Sequence, residues 1–156
     1  MQVGVRQRAA DENALIELRM GEIGEEERRS GKRRGAHVGA DQPRAILSRA
    51  CLERASLAGA DLAEARLDNV RAEGADFSRA ALSGGFAEDA ILTKSDLSGA
   101  VLASASFRRA RLDDAKLHEV AARGAIFDEA SLLDARFEKA NLVGSSFRKA
   151  KAGGAV

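Results

Sequence analysis

Small and large apolar residues recur along most of the chain with a period of five. In the stretch AGADLAEARLDNV, residues 58–70, alanine stands at Ala60 and Ala65, and leucine follows two places later at Leu62 and Leu67. Five steps along an α-helix turn through about 500°, so residues with this spacing would not share one helical face. In a strand they would point to alternate faces. The period therefore predicts neither an amphipathic helix nor a flat sheet.

From Ala45 onward the chain divides without an insertion into 22 units of five residues, and the last unit is AKAGG, residues 150–154. The first position is alanine in 17 units, while the third is leucine in 13 and phenylalanine in five. The other three positions carry nearly all of the charge. Each unit is therefore predicted to be one wall of a polygonal coil. Its third residue fills the interior, and its small first residue allows the backbone to turn the corner.

The units ADLAE, ADFSR, SDLSG and ANLVG closely match the pattern Ala, Asp or Asn, Leu and two variable residues. Over residues 45–154 the chain thus resembles the pentapeptide-repeat family. The resemblance implies an all-β fold, a right-handed quadrilateral parallel β-helix with four of these units in each coil. Repeats of fixed period stack so that each coil satisfies the backbone of the next. About five and a half coils at the spacing of paired strands would give a rod about 26 Å long.

The third positions are expected to form the structural core. Valine replaces alanine at Val70 and Val120, in the two units VRAEG and VAARG whose third residue is alanine, so volume lost at one inward site is restored at its neighbour. The unit GFAED lacks this compensation, and its Phe86 is expected either to turn inward or to be an exposed contact residue. The predicted core residues are Leu52, Leu57, Leu62, Leu67, Phe77, Leu97, Leu102, Phe107, Leu112, Leu117, Phe127, Leu132, Phe137, Leu142 and Phe147.

Residues in the same position of successive coils are expected to stack, and this stacking places a ladder of alternating charge on one side of the rod. Ion pairs between exposed rungs contribute only about 0–1 kcal/mol each. The ladder is therefore interpreted first as a solvated surface that fixes the register of the coils, and recognition by a partner is the alternative. The rungs of this charge ladder are Glu88 with Asp89, Arg108 with Arg109, Asp128 with Glu129, and Arg148 with Lys149.

Another side of the rod is poor in charge, with only Asp61, Glu64 and Arg123 on it. Such a surface suits docking of a second copy or of another protein, although a regular wall of small residues without a partner is the alternative. This weakly charged wall consists of Ala63, Ala81, Val101, Ala103, Ala121 and Val143. The candidate partner contacts are Ala81, Val101, Ala103, Ala121, Val143 and Phe86.

Ser98, His118 and Glu138 occupy fourth positions in one column and so imitate the residues of a hydrolase triad. Nucleophilic catalysis also needs a water-excluding cleft and oriented oxyanion donors, which the smooth outer wall of a β-helix does not supply. The single cysteine, Cys51, excludes an internal disulfide and a CxxC motif. We therefore expect a protein that is not an enzyme and has no cofactor or metal site.

The first 44 residues are predicted to be a separate N-terminal segment that precedes a β-helix over residues 45–156. Leu15, Ile16, Leu18 and Ile23 give a weak amphipathic helix pattern that suits a cap for the open end of the coil. A basic run follows, RRSGKRR at residues 28–34, and is interpreted as a linker. The sequence finishes at GGAV, half way round a coil, so we expect tail-to-tail association, a partner or a longer chain to cover that edge.

The 25 basic and 24 acidic side chains nearly cancel, so composition does not favour a nucleic-acid partner. No apolar run is long enough to cross a membrane, and we expect a cytoplasmic bacterial protein. The function predicted is that of a non-catalytic protein-binding or scaffold module. It would bind a protein partner, or a second copy through a coil end or the weakly charged wall.

Two alternatives come from the resemblance. Some pentapeptide-repeat proteins look like duplex DNA and occupy DNA gyrase, which protects cells against quinolones. That mechanism needs extended rows of negative charge, whereas residues 45–156 hold 16 acidic and 16 basic side chains, so it is disfavoured. The other alternative is an exported effector or an accessory protein of a secretion system, which no local motif supports or opposes.

Overall fold

The computed structural model describes residues 43–156, and over this range the chain forms a parallel coil that completes one circuit every four units. Eighteen isolated parallel bridges join second-position residues of successive coils, from Ile46 with Arg66 to Ser131 with Lys151. Residues 43–156 contain no helix and no strand longer than one bridge residue. Each coil has four short sides of one unit each. Side 1 contains the units that begin at 45, 65, 85, 105, 125 and 145, and sides 2, 3 and 4 follow in chain order.

Backbone hydrogen bonds between successive coils fix this register. The third-position N–H of Leu102 donates to the carbonyl of Ala121 in the next coil, at 2.8 Å, and the second-position N–H of Val101 donates to Ala80 in the previous coil, at 2.9 Å. The fifth-position N–H likewise donates to the fourth-position carbonyl of the next coil. Three of the five N–H groups in an interior unit are therefore satisfied by a neighbouring coil.

The corners are tight turns formed by the fourth and fifth positions. At each corner the next first-position N–H donates back to a third-position carbonyl, as Ala105 does to Leu102 at 3.0 Å. Every fifth position has a positive φ, from 55° to 74°, which is the type II arrangement that favours glycine. Sixteen of these residues are nevertheless not glycine. The small first residue closes the corner with its N–H, as expected, but the left-handed φ that the turn requires belongs to the fifth position.

The hydrogen bonds between coils do not include the fourth-position N–H, and in six units a side chain accepts from it. Asp76 and Asp96, at second positions, accept from the N–H groups of Ser78 and Ser98, both at 2.9 Å. Aspartate commonly closes a turn in this way by accepting from the backbone two residues on. The acidic second position of the repeat therefore has a local structural role.

The interior is a column of apolar side chains, one from each unit. The third-position residues from Leu47 to Leu132 are buried, and so are nearly all of the first-position residues that lie beside them. The rings of Phe107, Phe127 and Phe147 stack along side 1, with centroids 5.3 and 5.0 Å apart. In the last described coil Phe137, Leu142 and Phe147 are only partly buried.

The volume compensation around valine is visible in the structure, since Val70 and Val120 are both fully buried beside the smaller third-position alanines. The unit GFAED has no such compensation. A small apolar void of about 10 Å³ lies beside Ala87, at the lower limit of the space that one water molecule needs. Phe86 does not fill it, because its side chain points outward and is 48% exposed.

At the N-terminal edge, Arg44 already behaves as a fifth position. Its φ is 68°, and its N–H donates to the carbonyl of Ala63 at 2.7 Å. The predicted capping helix and the basic run at residues 28–34 lie outside the described residues. None of residues 43–156 belongs to a helix long and apolar enough to span a membrane.

Replacing Leu102 with alanine should lower the free energy of unfolding by about 2–5 kcal/mol, because a fully buried leucine leaves a cavity in a closely packed interior. The matched control is Leu142→Ala, at the same position on the same side but only partly buried. Its loss should be smaller. Urea unfolding followed by circular dichroism measures both, and equal losses would contradict a core whose packing weakens toward the last coil.

Candidate binding surfaces

The outer surface carries the features that can contact a ligand or a partner. Among residues 43–156, no three or more His, Cys, Asp or Glu side chains are grouped so that they could hold a metal ion. The void beside Ala87 is apolar and too small for a ligand. Three groups of outward side chains lie on this surface: the charge ladder, the weakly charged wall and the column of Ser98, His118 and Glu138.

The charge ladder runs along the corner between side 1 and side 2. The guanidinium of Arg109 donates to both carboxylate oxygens of Asp89, at 2.9 and 2.8 Å, and lies 3.3 Å from an oxygen of Glu88. Arg108 points toward the next coil, where it lies 3.8 Å from Asp128. The first three rungs are thus linked by ion pairs within one chain.

These contacts favour the ionised forms of Asp89 and Asp128. Hydrogen bonds from Arg109 lower the pKa of Asp89, and Asp89 in turn raises the pKa of Arg109. The pKa of Asp128 is also lowered, first by a hydrogen bond from the Ser146 hydroxyl, then by the N–H of Arg148 and by nearby positive charge. All three groups therefore carry full charge near neutral pH.

A contact that sequence reasoning missed joins a fourth-position carboxylate to a second-position serine in the next coil. The serine hydroxyl donates to the carboxylate below it. Two of these carboxylates also accept the fourth-position N–H of the next coil. The available signal was an acid at position i and a serine at position i+18. The pairs are Glu88 with Ser106, Asp113 with Ser131, and Asp128 with Ser146.

Part of the ladder stays without an ion pair. Glu129, Arg148 and Lys149 form no ion pair with another residue in the described part of the chain. All three side chains are exposed. These three side chains, in the last two rungs of the ladder, are therefore able to form ion pairs with charges outside the chain.

The weakly charged wall bends instead of being flat. Ala81, Val101 and Ala121 form one continuous column along side 4, joined by two bridges. Val101 is 40% exposed. Val143 is 60% exposed but lies on the corner between side 4 and side 1, and Arg123 separates it from Ala103 in that corner column. The wall thus has an apolar column on side 4 and an interrupted column on the corner.

Phe86 lies on side 1, beyond that corner, and not on the wall itself. It bridges to Arg66 in the coil before and to Ser106 in the coil after. Ser106 in turn bridges to Ile126, so three uncharged residues follow one another along side 1. Ile126 was not among the predicted contacts, although its place in the same column as Phe86 would have found it, whereas Ser106 is buried.

The column of Ser98, His118 and Glu138 does not form a catalytic relay. The Nδ1 atom of His118 lies 2.7 Å from a carboxylate oxygen of Glu138, and both side chains are partly exposed. No hydrogen bond of the described residues joins Ser98 to the imidazole. Ser98 donates its N–H to Asp96 instead. Burial raises the pKa of Asp96, but hydrogen bonds from Ser98 and the charge of Lys116 outweigh it and lower the pKa.

Comparison with known proteins gives one family and several similar folds. The family model described as Pentapeptide repeats matches residues 45–84, 87–118 and 115–151, in eight copies. Trypsin-treated QnrB1, a plasmid-mediated fluoroquinolone resistance protein, is 16% identical with a TM-score of 0.58, and the alignment covers 78% of this chain and 69% of that one. At this identity the likeness shows the fold alone.

Two cyanobacterial pentapeptide-repeat proteins are also similar. Rfr23 from Cyanothece 51142 is 30% identical, with a TM-score of 0.44 and coverage of 65% of this chain and 63% of that one. HetL from Nostoc sp. strain PCC 7120, involved in heterocyst differentiation regulation, is 30% identical, with a TM-score of 0.40 and coverage of 72% and 65%. No curated protein matches the sequence.

Acid should destabilise the wild type more than an Asp128→Asn variant. An unfolded aspartate has a pKa of about 3.9, and the folded pKa of Asp128 is lower. The ionised carboxylate therefore stabilises the fold above that unfolded value, and the stabilisation is lost as the pH falls through the folded pKa. Between about pH 7 and about pH 2, the free energy of unfolding in urea should fall less in the variant.

The control for this comparison is Asp114→Asn. Asp114 occupies an exposed fifth position, and its carboxylate makes no hydrogen bond or ion pair with another of residues 43–156. This variant should follow the wild type across the pH range. If Asp128→Asn also followed the wild type, the contacts of Asp128 with Ser146 and Arg148 would not stabilise the fold.

Proposed function

The chain belongs to the pentapeptide-repeat family, and on this premise we propose that it is a non-catalytic protein-binding or scaffold module that acts through the outer walls of its β-helix. The observation that carries the proposal is the position of its exposed apolar side chains. Five large apolar side chains are exposed in residues 43–156, and three of them, Phe86, Val101 and Val143, lie on side 4, on side 1 or on the corner between them.

This region has the composition of a docking surface. Val101 has alanines before and after it in its column, and Phe86 is followed by Ser106 and Ile126. The four coils that carry these residues contribute one charged side chain to side 4 and its corner with side 1, that of Arg123. Depletion of charge around apolar anchors is typical of the centre of a protein interface.

The backbone beneath this surface is held by hydrogen bonds to the coils on both sides. A partner would therefore meet side chains that are already positioned. Binding by such a surface loses little conformational entropy, because few groups must be ordered on contact. Rigidity and exposed apolar area together favour the role of a scaffold.

The gyrase-binding alternative receives less support. A row of uncompensated negative charge is needed to imitate duplex DNA, but the charge ladder alternates in sign from coil to coil. Within it, Arg109 forms ion pairs with both Glu88 and Asp89. The likeness to QnrB1 supports a common fold and extends no further. Protein binding through the apolar surface is accordingly the function we propose, with a cytoplasmic location preferred to export.

A double substitution on the wall, Val101→Asp with Val143→Asp, should reduce partner retention by about tenfold or more, because anchor residues at an interface contribute about 2 kcal/mol or more. The measurement is a quantitative pull-down with the immobilised full chain, with circular dichroism to show that the fold is kept. The matched control is Leu133→Asp, since Leu133 is 42% exposed and lies on the corner between side 2 and side 3. Retention unchanged in the double variant would remove the wall as the binding surface.

A further inference from the structure

The charge ladder is complementary to itself when it is read in the opposite direction. Its four rungs, one in each of four successive coils, are negative, positive, negative and positive, and reversal gives positive, negative, positive and negative. We propose that a second copy of this chain docks antiparallel against side 1, with ladder facing ladder, to form a symmetric dimer. The inference rests on the proposed function in one respect: that function makes the surface around Phe86 a protein-binding surface, and here its partner is a second copy of the chain.

Symmetry selects this arrangement among the closed dimers that side 1 could form. A twofold axis that lies in the interface and runs across the rod keeps the ladder on the same edge and reverses the order of the coils. The first rung then faces the fourth, and the second faces the third. A twofold axis along the rod would instead place the ladder against the corner between side 4 and side 1. In the same four coils that corner holds one charge, Arg123, so the complementarity would be lost.

The antiparallel arrangement also supplies partners for the charges that one chain leaves over. Glu129, which forms no ion pair within the described chain, would face the rung of Arg108 and Arg109 of the second copy. Arg148 and Lys149 would face the first rung of the second copy, which has two carboxylates for the single guanidinium of Arg109. Each of these contacts occurs twice in the dimer, because the axis relates the two copies.

The centre of side 1 is compatible with close approach of a second copy. Its second positions in the four coils of the ladder are uncharged: Phe86, Ser106, Ile126 and Ser146. The axis places Phe86 opposite Ser146, and Ser106 opposite Ile126, so no charge would be buried between the two walls. Charged side chains at the edge and apolar or small residues at the centre are the usual arrangement of an interface.

The size of the contact sets its strength. Four coils at about 4.8 Å each give a contact about 19 Å tall, and a wall of this height buries less than the roughly 800 Å² per partner of a standard interface. The dimer should therefore be weak. Because exposed charges at its edge supply specificity, salt should dissociate it.

Sedimentation equilibrium of the purified full chain tests the dimer. In about 20 mM salt the chain should show a monomer–dimer equilibrium, and about 500 mM salt should weaken it by about tenfold or more, as screening shortens the range of the charges. A wild-type chain that is monomeric in low salt at the highest soluble concentration would overturn the proposal. Association that salt does not weaken would overturn it as well.

A charge swap tests the register. Glu129→Lys combined with Lys149→Glu keeps the composition and the net charge, and these two positions still carry opposite signs within the chain. In the dimer, however, it opposes a lysine to the rung of Arg108 and Arg109, and a glutamate to the rung of Glu88 and Asp89, of the second copy. This variant should be monomeric in low salt. Lys149→Glu alone should weaken the dimer in the same direction and provides a second reading if the double variant does not fold.

The matched control is Glu119→Lys with Lys139→Glu. These residues also occupy fifth positions of successive coils, where they form an ion pair at 3.2 Å, on the corner between side 3 and side 4, diagonally across the rod from the ladder. The control should dimerise like the wild type. If both swaps or neither abolished the dimer, the ladder would not be its interface. Sedimentation uses the purified chain alone, so its failure is distinguishable from a failure of the wall variants in the pull-down.

Discussion

Hydrogen bonding between the backbones of successive coils is the interaction on which the structure depends. Each interior unit donates to and accepts from the coils on both sides, so a residue's position in the repeat fixes both its direction and its column. The stacked phenylalanines on side 1, the charge ladder and the apolar column on side 4 are all consequences of this register. No unit can shift along the rod without breaking the hydrogen bonds of its neighbours.

Sequence reasoning reached the register because the period of five has no insertion over residues 45–154. The conformation of the corners was not predicted from the sequence. Their left-handed fifth residue is usually not glycine, so composition gives no signal there. The sequence also did not decide whether the Phe86 side chain points inward or outward. The small residues Gly85 and Ala87 leave space for it in the core, but its second position in the unit normally points outward. The hydroxyl contacts of Glu88, Asp113 and Asp128 join different positions of the repeat, which a search for residues in the same column does not find.

Charged residues and exposed apolar residues lie on different parts of the same rod. Charges along the corner between side 1 and side 2 pair mostly with a neighbouring coil, and within the described residues Glu129, Arg148 and Lys149 are left without an ion pair. Apolar side chains gather around the corner between side 4 and side 1, where the backbone is rigid and charge is scarce. A β-helix can combine these features because its outward residues do not take part in the core, so recognition can vary while the interior stays the same.

Disulfide trapping with the native Cys51 tests the register most directly. Cys51 bridges to Arg71, one coil further on, and the inter-coil spacing of about 4.8 Å lies within the range of Cα distances that a disulfide spans. In an Arg71→Cys variant, mild oxidation should link the two cysteines within one chain, as detected by mass spectrometry. A cysteine at Asp61, two units along and on a different side, should stay reduced. A linkage in the Asp61→Cys variant and none in Arg71→Cys would contradict a coil of four units.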